Sequence, residues 1–84
     1  MKRLQKGTSI SFLCEATDFE GRIIESADTK SELLDIMRER GFERYEFYIQ
    51  WVAFDMNKNG IRLDNEGIGE TKENARKDFW NNYR

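Results

Sequence analysis

The segment Tyr45 to Asp55 constrains the fold most, because it alternates strictly and yet is apolar on both sides of the alternation. Tyr45, Phe47, Ile49, Trp51 and Ala53 fall on one face of an extended chain, and Glu46, Tyr48, Gln50, Val52 and Phe54 fall on the other. Period two with large rings predicts a strand. If the first set faces a core, Tyr48, Val52 and Phe54 project from the opposite side of the sheet, beside Leu13 of a neighbouring strand.

A chain of 84 residues supports one domain, 1–84, because a body of this size hides only about 60–65% of the surface its unfolded chain exposes. Around the long strand the other elements can be placed. Thr8 to Ala16 puts Ile10, Phe12, Cys14 and Ala16 on one side and Ser9, Ser11, Leu13 and Glu15 on the other, the pattern of a half-buried strand. Asp18-Phe19-Glu20-Gly21 has turn chemistry, and Arg22 to Ser26 returns as a second strand.

Thr29-Lys30-Ser31-Glu32 fits a capping box and opens a helix with Leu33, Leu34, Ile36 and Met37 as its apolar stripe. Gly41 then reads as a left-handed stop. Asn59-Gly60 marks a second hairpin, Ile61 to Asp64 a short returning strand, and Gly67 and Gly69 a loop. Thr71 caps a final helix that presents Ala75, Phe79, Trp80 and Tyr83.

The order is therefore ββα twice, units 8–41 and 45–84, with short echoes between them: Ala16-Thr17-Asp18 against Ala53-Phe54-Asp55, and Thr29-Lys30 against Thr71-Lys72. The fold expected is α+β, a two-layer arrangement of a four-stranded antiparallel sheet with two helices on one face. A ββα half followed by a Thr-initiated helix resembles the sheet-and-helix part of HicB-type antitoxins over about a third of the chain. That resemblance implies a fold fragment and no activity.

Charge names no partner, since 14 basic against 16 acidic residues leave a net −2, neither a polyanion binder's excess nor a DNA mimic's deficit. Lys2, Arg3 and Lys6 cluster before Gly7 as a solvated lead-in to the first strand. Histidine is absent, which removes Ser-His-Asp and Cys-His catalysis and His-ligated zinc. The single cysteine, Cys14, pairs with nothing in its own chain and alternates with core positions, so it reads as a buried thiol. With no signal-like or spanning apolar run, the expected setting is a reducing cytoplasm.

Three constellations merit a place. Asp55, Asn57, Asn59 and Glu66 match the spacing of an EF-hand calcium loop, although an Asn-Gly hairpin tip explains the same letters and Arg62 stands where such loops carry an aliphatic residue. The carboxylates Asp18, Glu20, Asp55, Asp64, Glu66 and Glu70 lie near turns, where they would do acid/base work only if they converged. Gly67-Ile68-Gly69 lacks the lysine and the spacing of a phosphate loop. None of these amounts to an enzyme, and none calls for a cofactor.

The expectation is thus a small noncatalytic binding protein acting through protein–protein contact, with a partner or its own copy meeting the aromatic sheet face or a sheet edge. Its size and style suit an accessory or inhibitor protein of a phage or mobile element. Tyr48, Val52, Phe54, Leu13, Arg44 and Arg62 are the contact residues expected. The alternative is a nucleic acid or nucleotide stacked on the same rings, with Arg22, Arg44, Lys58 and Arg62 gripping phosphates.

Overall fold

A computed structural model describes residues 3–83, so Lys2 of the N-terminal basic cluster lies outside the described residues. Strand β1 (Thr8–Thr17) and β2 (Ile23–Ala27) are followed by helix α1 (Lys30–Glu39) and a single 3-10 turn at Arg44–Glu46. Strand β3 (Tyr48–Asn57), β4 (Arg62–Gly69) and helix α2 (Lys72–Asn82) complete the chain. All strand pairs are antiparallel and the order across the sheet is β2-β1-β3-β4. This is the four-stranded ββαββα sheet that alternation and capping predict.

The central pair is in register from Thr8 opposite Asn57 to Thr17 opposite Tyr48, which puts Ile10, Phe12, Cys14 and Ala16 on the same face as Ile49, Trp51 and Ala53. Both helices cover that face. Leu33 and Met37 of α1 pack with Cys14, Ala16 and Phe47, while Ala75 and Phe79 of α2 pack with Ala53, and Trp51 touches both clusters. Thr29 caps α1 by accepting from the Glu32 N–H at 3.1 Å, and Thr71 caps α2 by accepting from the Asn74 N–H at 3.0 Å.

Two boundaries differ from expectation by more than two residues. Tyr45 and Glu46 are in the 3-10 turn, where the Glu46 carboxylate accepts from the Glu43 N–H at 2.8 Å, and the Tyr45 ring is exposed. The Gly67-Ile68-Gly69 stretch is strand, not loop, because β4 continues beneath α2. A β-carbon on Gly67 would collide with the backbone of Phe79 and Ala75, and one on Gly69 would stand 2.5 Å from the Ala75 nitrogen. Glycine is what lets the helix rest directly on the strand.

The two halves repeat each other in detail. Asp18 accepts from the Glu20 and Arg22 N–H groups, each at 2.9 Å, and Asn57 accepts from the Asn59 and Ile61 N–H groups at 2.9 and 3.0 Å. Gly21 and Gly60 close these turns at φ 86° and 80°. Asp18 therefore corresponds to Asn57, which corrects the echo that paired it with Asp55, while Thr29 and Thr71 correspond as expected. The spacing that takes Asp18 to Asn57 takes Leu13 to Val52, and these two are directly opposite in the sheet. A local twofold axis passes through that pair.

The repeat extends to the sheet edges. Arg40, just past α1, donates to the Ile24 carbonyl on β2 at 3.4 Å, and Asn82, at the end of α2, donates to the Glu66 carbonyl on β4 at 3.3 Å. Asp78 additionally accepts from the Ile68 N–H at 2.9 Å. Helix side chains thus occupy outward-facing backbone groups on both edge strands, which otherwise invite pairing with another chain.

The chemistry of the two matching turns separates them under acid. The Asp18 carboxyl is held below the usual carboxylate range, chiefly by the Arg22 backbone N–H and further by the Arg22 side chain and the Glu20 N–H. A depressed pKa means that its contribution is present above the ordinary carboxylate value and is lost as pH falls through the folded one, below about pH 4. Protection from amide exchange at Glu20 and Arg22, taken relative to the free-peptide rate at the same pH, is expected to fall there, whereas Asn59 and Ile61, held by the neutral Asn57, keep theirs.

Candidate functional site

The face away from the helices carries Leu13 and Glu15 on β1, Tyr48, Gln50, Val52 and Phe54 on β3, and Ile68 on β4. No helix covers it. Even so, Val52 and Phe54 retain only 2% and 4% of their surface, which corrects the expectation that they stand bare. Val52 is flanked by Leu13 on one strand and Ile68 on the other. Phe54 is roofed by Arg62, whose guanidinium carbon sits 4.4 Å from the ring centroid while its Nη2 bonds Glu66 at 2.8 Å.

Exposed rings gather instead at one end of this face. Tyr48 is 59% exposed and meets Phe19, 64% exposed, edge to face at 5.1 Å between centroids. Beside them, Thr17, Gln50, the half-exposed Ile68 and Glu70 line an open groove of about 380 Å³. Phe19 is in the β1–β2 hairpin tip and Ile68 in β4, and neither is a contact residue expected from the sequence. A large ring in an otherwise polar turn was the available signal for Phe19. Ile68 was hidden by its two glycine neighbours.

Arg44 and Arg62 have intramolecular roles. Arg44 lies over the Phe47 ring at 5.1 Å and donates to the Phe47 carbonyl at 3.1 Å, and Arg62 covers Phe54. Arg22 bridges Asp18 at 2.8 Å and Glu20 at 2.7 Å. Three of the four cations expected to hold phosphates beside the rings are thereby engaged with groups of their own chain, which weakens the nucleic-acid alternative at this face.

The six carboxylates do not converge as a set, although Asp18 and Glu70 line the same groove beside the rings. Asp18 and Glu20 share Arg22 at one hairpin, and Glu66 pairs with Arg62 near the opposite end of the sheet. Asp55, buried on the helix face, accepts from the Asn65 backbone N–H at 3.1 Å and from its Nδ2 at 2.8 Å. Glu15, buried on the open face, accepts from Gln50 Nε2 at 3.0 Å. Each buried charge has its own amide partner, as burial requires.

The EF-hand-like spacing is a β-hairpin. Asp55 is opposite Ile10 on the helix face, whereas Glu66 is opposite Phe54 on the open face, so the two carboxylates point to different sides of one sheet. The Asn57 side-chain oxygen is committed to the turn amides. Among the described residues no group of three or more Cys, Asp or Glu side chains is placed to hold a metal ion.

Cys14 is fully buried beneath α1, and burial pushes its thiol above the usual range, partly countered by Lys30 and Lys72. That is the environment of a core residue rather than a nucleophile. No helix among the described residues is long and apolar enough to cross a membrane. No family model, curated protein or solved structure matches the chain.

Proposed function

We propose that this chain is a noncatalytic binding protein that engages another protein through the open sheet face, at the corner formed by Phe19, Tyr48 and Ile68. The observation that carries this reading is the pair of rings, each more than half exposed, packed on one another beside an open groove, with no element among the described residues over them. Rings held by mutual contact present apolar area with little rotamer freedom left to lose, the property that makes aromatic residues dominate protein interfaces. The partner surface this corner fits is apolar at its centre, with hydrogen-bonding groups at the rim to meet Gln50, Thr17 and Glu70.

The experiment is Phe19→Ala with Tyr48→Ala. Both side chains are surface residues, so the double variant is expected to keep its fold while losing at least about 2 kcal/mol of partner binding, a loss of some thirtyfold. Sedimentation of the wild type tests whether a second copy is the partner, and affinity capture from the source organism tests for a different protein. A contact retained at full strength by the double variant would overturn the assignment. So would one that weakens steeply with added salt, since an apolar seam responds little to ionic strength and a phosphate grip responds strongly.

A further inference from the structure

The seam between the two ββα units has the geometry of an interface between two copies. Strands β1 and β3 are antiparallel neighbours related by the local twofold axis through Leu13 and Val52, so Phe12 stands opposite Ala53 and Trp51 opposite Cys14, a large residue against a small one on each side of the axis. That complement is built into each strand separately. Two β1 strands paired about the same axis set Phe12 against Cys14, and two β3 strands set Trp51 against Ala53. This is the self-complementarity of an isologous contact.

Each helix lies on the strands of its own unit, α1 on β1 and β2, and α2 on β3 and β4. The cores are nevertheless completed across the seam: Phe47, Ile49 and Trp51 enter the cluster under α1, and Ile10 and Phe12 enter the cluster under α2. A unit from another copy of the chain carries the same side chains. What ties a unit to its own partner is the connection from Phe42 to Phe47, in which residues 43–46 are all exposed. Two bonds fold that connection into its 3-10 turn, from the Glu46 N–H to the Glu43 carbonyl at 2.9 Å and from the Glu43 N–H to the Glu46 carboxylate at 2.8 Å. Extended, it spans about 17 Å, near the 18 Å shortest extent of the molecule, so it reaches from one body to another lying against it.

We propose that a second copy of the chain is a partner at this seam by reciprocal exchange, in which β1 of each copy pairs with β3 of the other to give a closed twofold dimer of two complete four-stranded sheets. Contacts between β1 and β3 are the same in dimer and monomer, so the linker sets the balance and favours the closed monomer below an effective concentration of about a millimolar. The outer strands are occupied at Ile24, Glu66 and Ile68, which leaves the central seam as the place for backbone pairing between copies. The exchange does not rest on the ring-lined corner as a docking site. In the dimer, Phe19 of one copy meets Tyr48 of the other.

The test uses the full chain with Glu46→Pro, which removes the N–H and the carboxylate that make both turn bonds and biases Tyr45 toward an extended backbone. Because both copies shed the turn, the dimer dissociation constant is expected to fall about a hundredfold, from about a millimolar to about ten micromolar. Sedimentation after unfolding and refolding across a concentration series reads that change. Ser9→Cys with Met56→Cys, two positions opposite each other across the seam, reports which chain supplies each strand, while Cys14 is fully buried and does not compete. Oxidised in the Glu46→Pro dimer, this pair is expected to join two chains, giving a disulfide-linked dimer that reductant releases. Disulfides confined within single chains of a dimer would assign the association to another surface, the ring-lined corner included, and overturn the exchange. So would a Glu46→Pro chain that stays monomeric up to about a millimolar.

Discussion

Replacing Gly67 by alanine is expected to lower the melting temperature by roughly 10–20 °C, an effect of about 3 kcal/mol in a domain of this size. One methyl group is a small change, but its position leaves no route for relief. The new carbon would meet the nitrogen and α-carbon of Phe79 and the carbonyl oxygen of Ala75, atoms of the helix backbone that no rotamer change can move. Helix α2 would have to lift from β4 as a unit, opening the contact made by Phe79 and Ala75 and straining the bonds from Asp78 to Ile68 and from Asn82 to Glu66. Thermal unfolding followed by circular dichroism measures the loss. A melting temperature within a degree or two of the wild type would show that the helix does not rest on this strand.

Phe79→Ala attacks the same contact from the other side and is expected to cost more, about 3–5 kcal/mol. The ring is fully buried and packs against Trp80 at 5.3 Å and Tyr83 at 5.5 Å between centroids. Its removal leaves a cavity over Ala53, which is too small to fill the space. Total stability for a chain of this length is on the order of 4–12 kcal/mol, so this variant stands near the limit of folding. Combining it with Gly67→Ala gives a sharper test. The alanine at position 67 meets backbone rather than the ring, so the double variant is expected to show no rescue in denaturant titrations. Recovery of stability would mean that the ring, not the helix backbone, is the obstacle.

The central strand was legible in the sequence because alternation over Phe47 to Asp55 leaves one register that hides Ile49, Trp51 and Ala53. Thr29 and Thr71 were legible as caps because a hydroxyl three residues ahead of a free amide has a local geometry that needs no tertiary information. Gly67 and Gly69 read as a loop for the opposite reason. Their role is to admit α2, which folds back over the strand it follows, and glycine gives the same signal whether it serves a bend or a close approach. Alternation overstates the exposure of Phe54 because Arg62 lies over it. That contact crosses from β4 to β3 and depends on a register shift between Phe54 and Met56, which alternation alone does not reveal. Phe19 reads as an ordinary turn residue, although a ring at a hairpin tip has no core to enter and finds Tyr48 only when Thr17 is set opposite that residue.

The side chains that close the outer strands decide how any partner must read this molecule. With Arg40, Asn82 and Asp78 standing where an incoming peptide would lay its own amides, recognition by main-chain addition is obstructed at those positions. A binding partner then has to recognise individual residues, and specificity resides in what is displayed, free of the generic attraction of one extended backbone for another. Under the binding role proposed above, a change of partner would come from substitution at the Phe19 hairpin tip while the architecture behind it stays as it is.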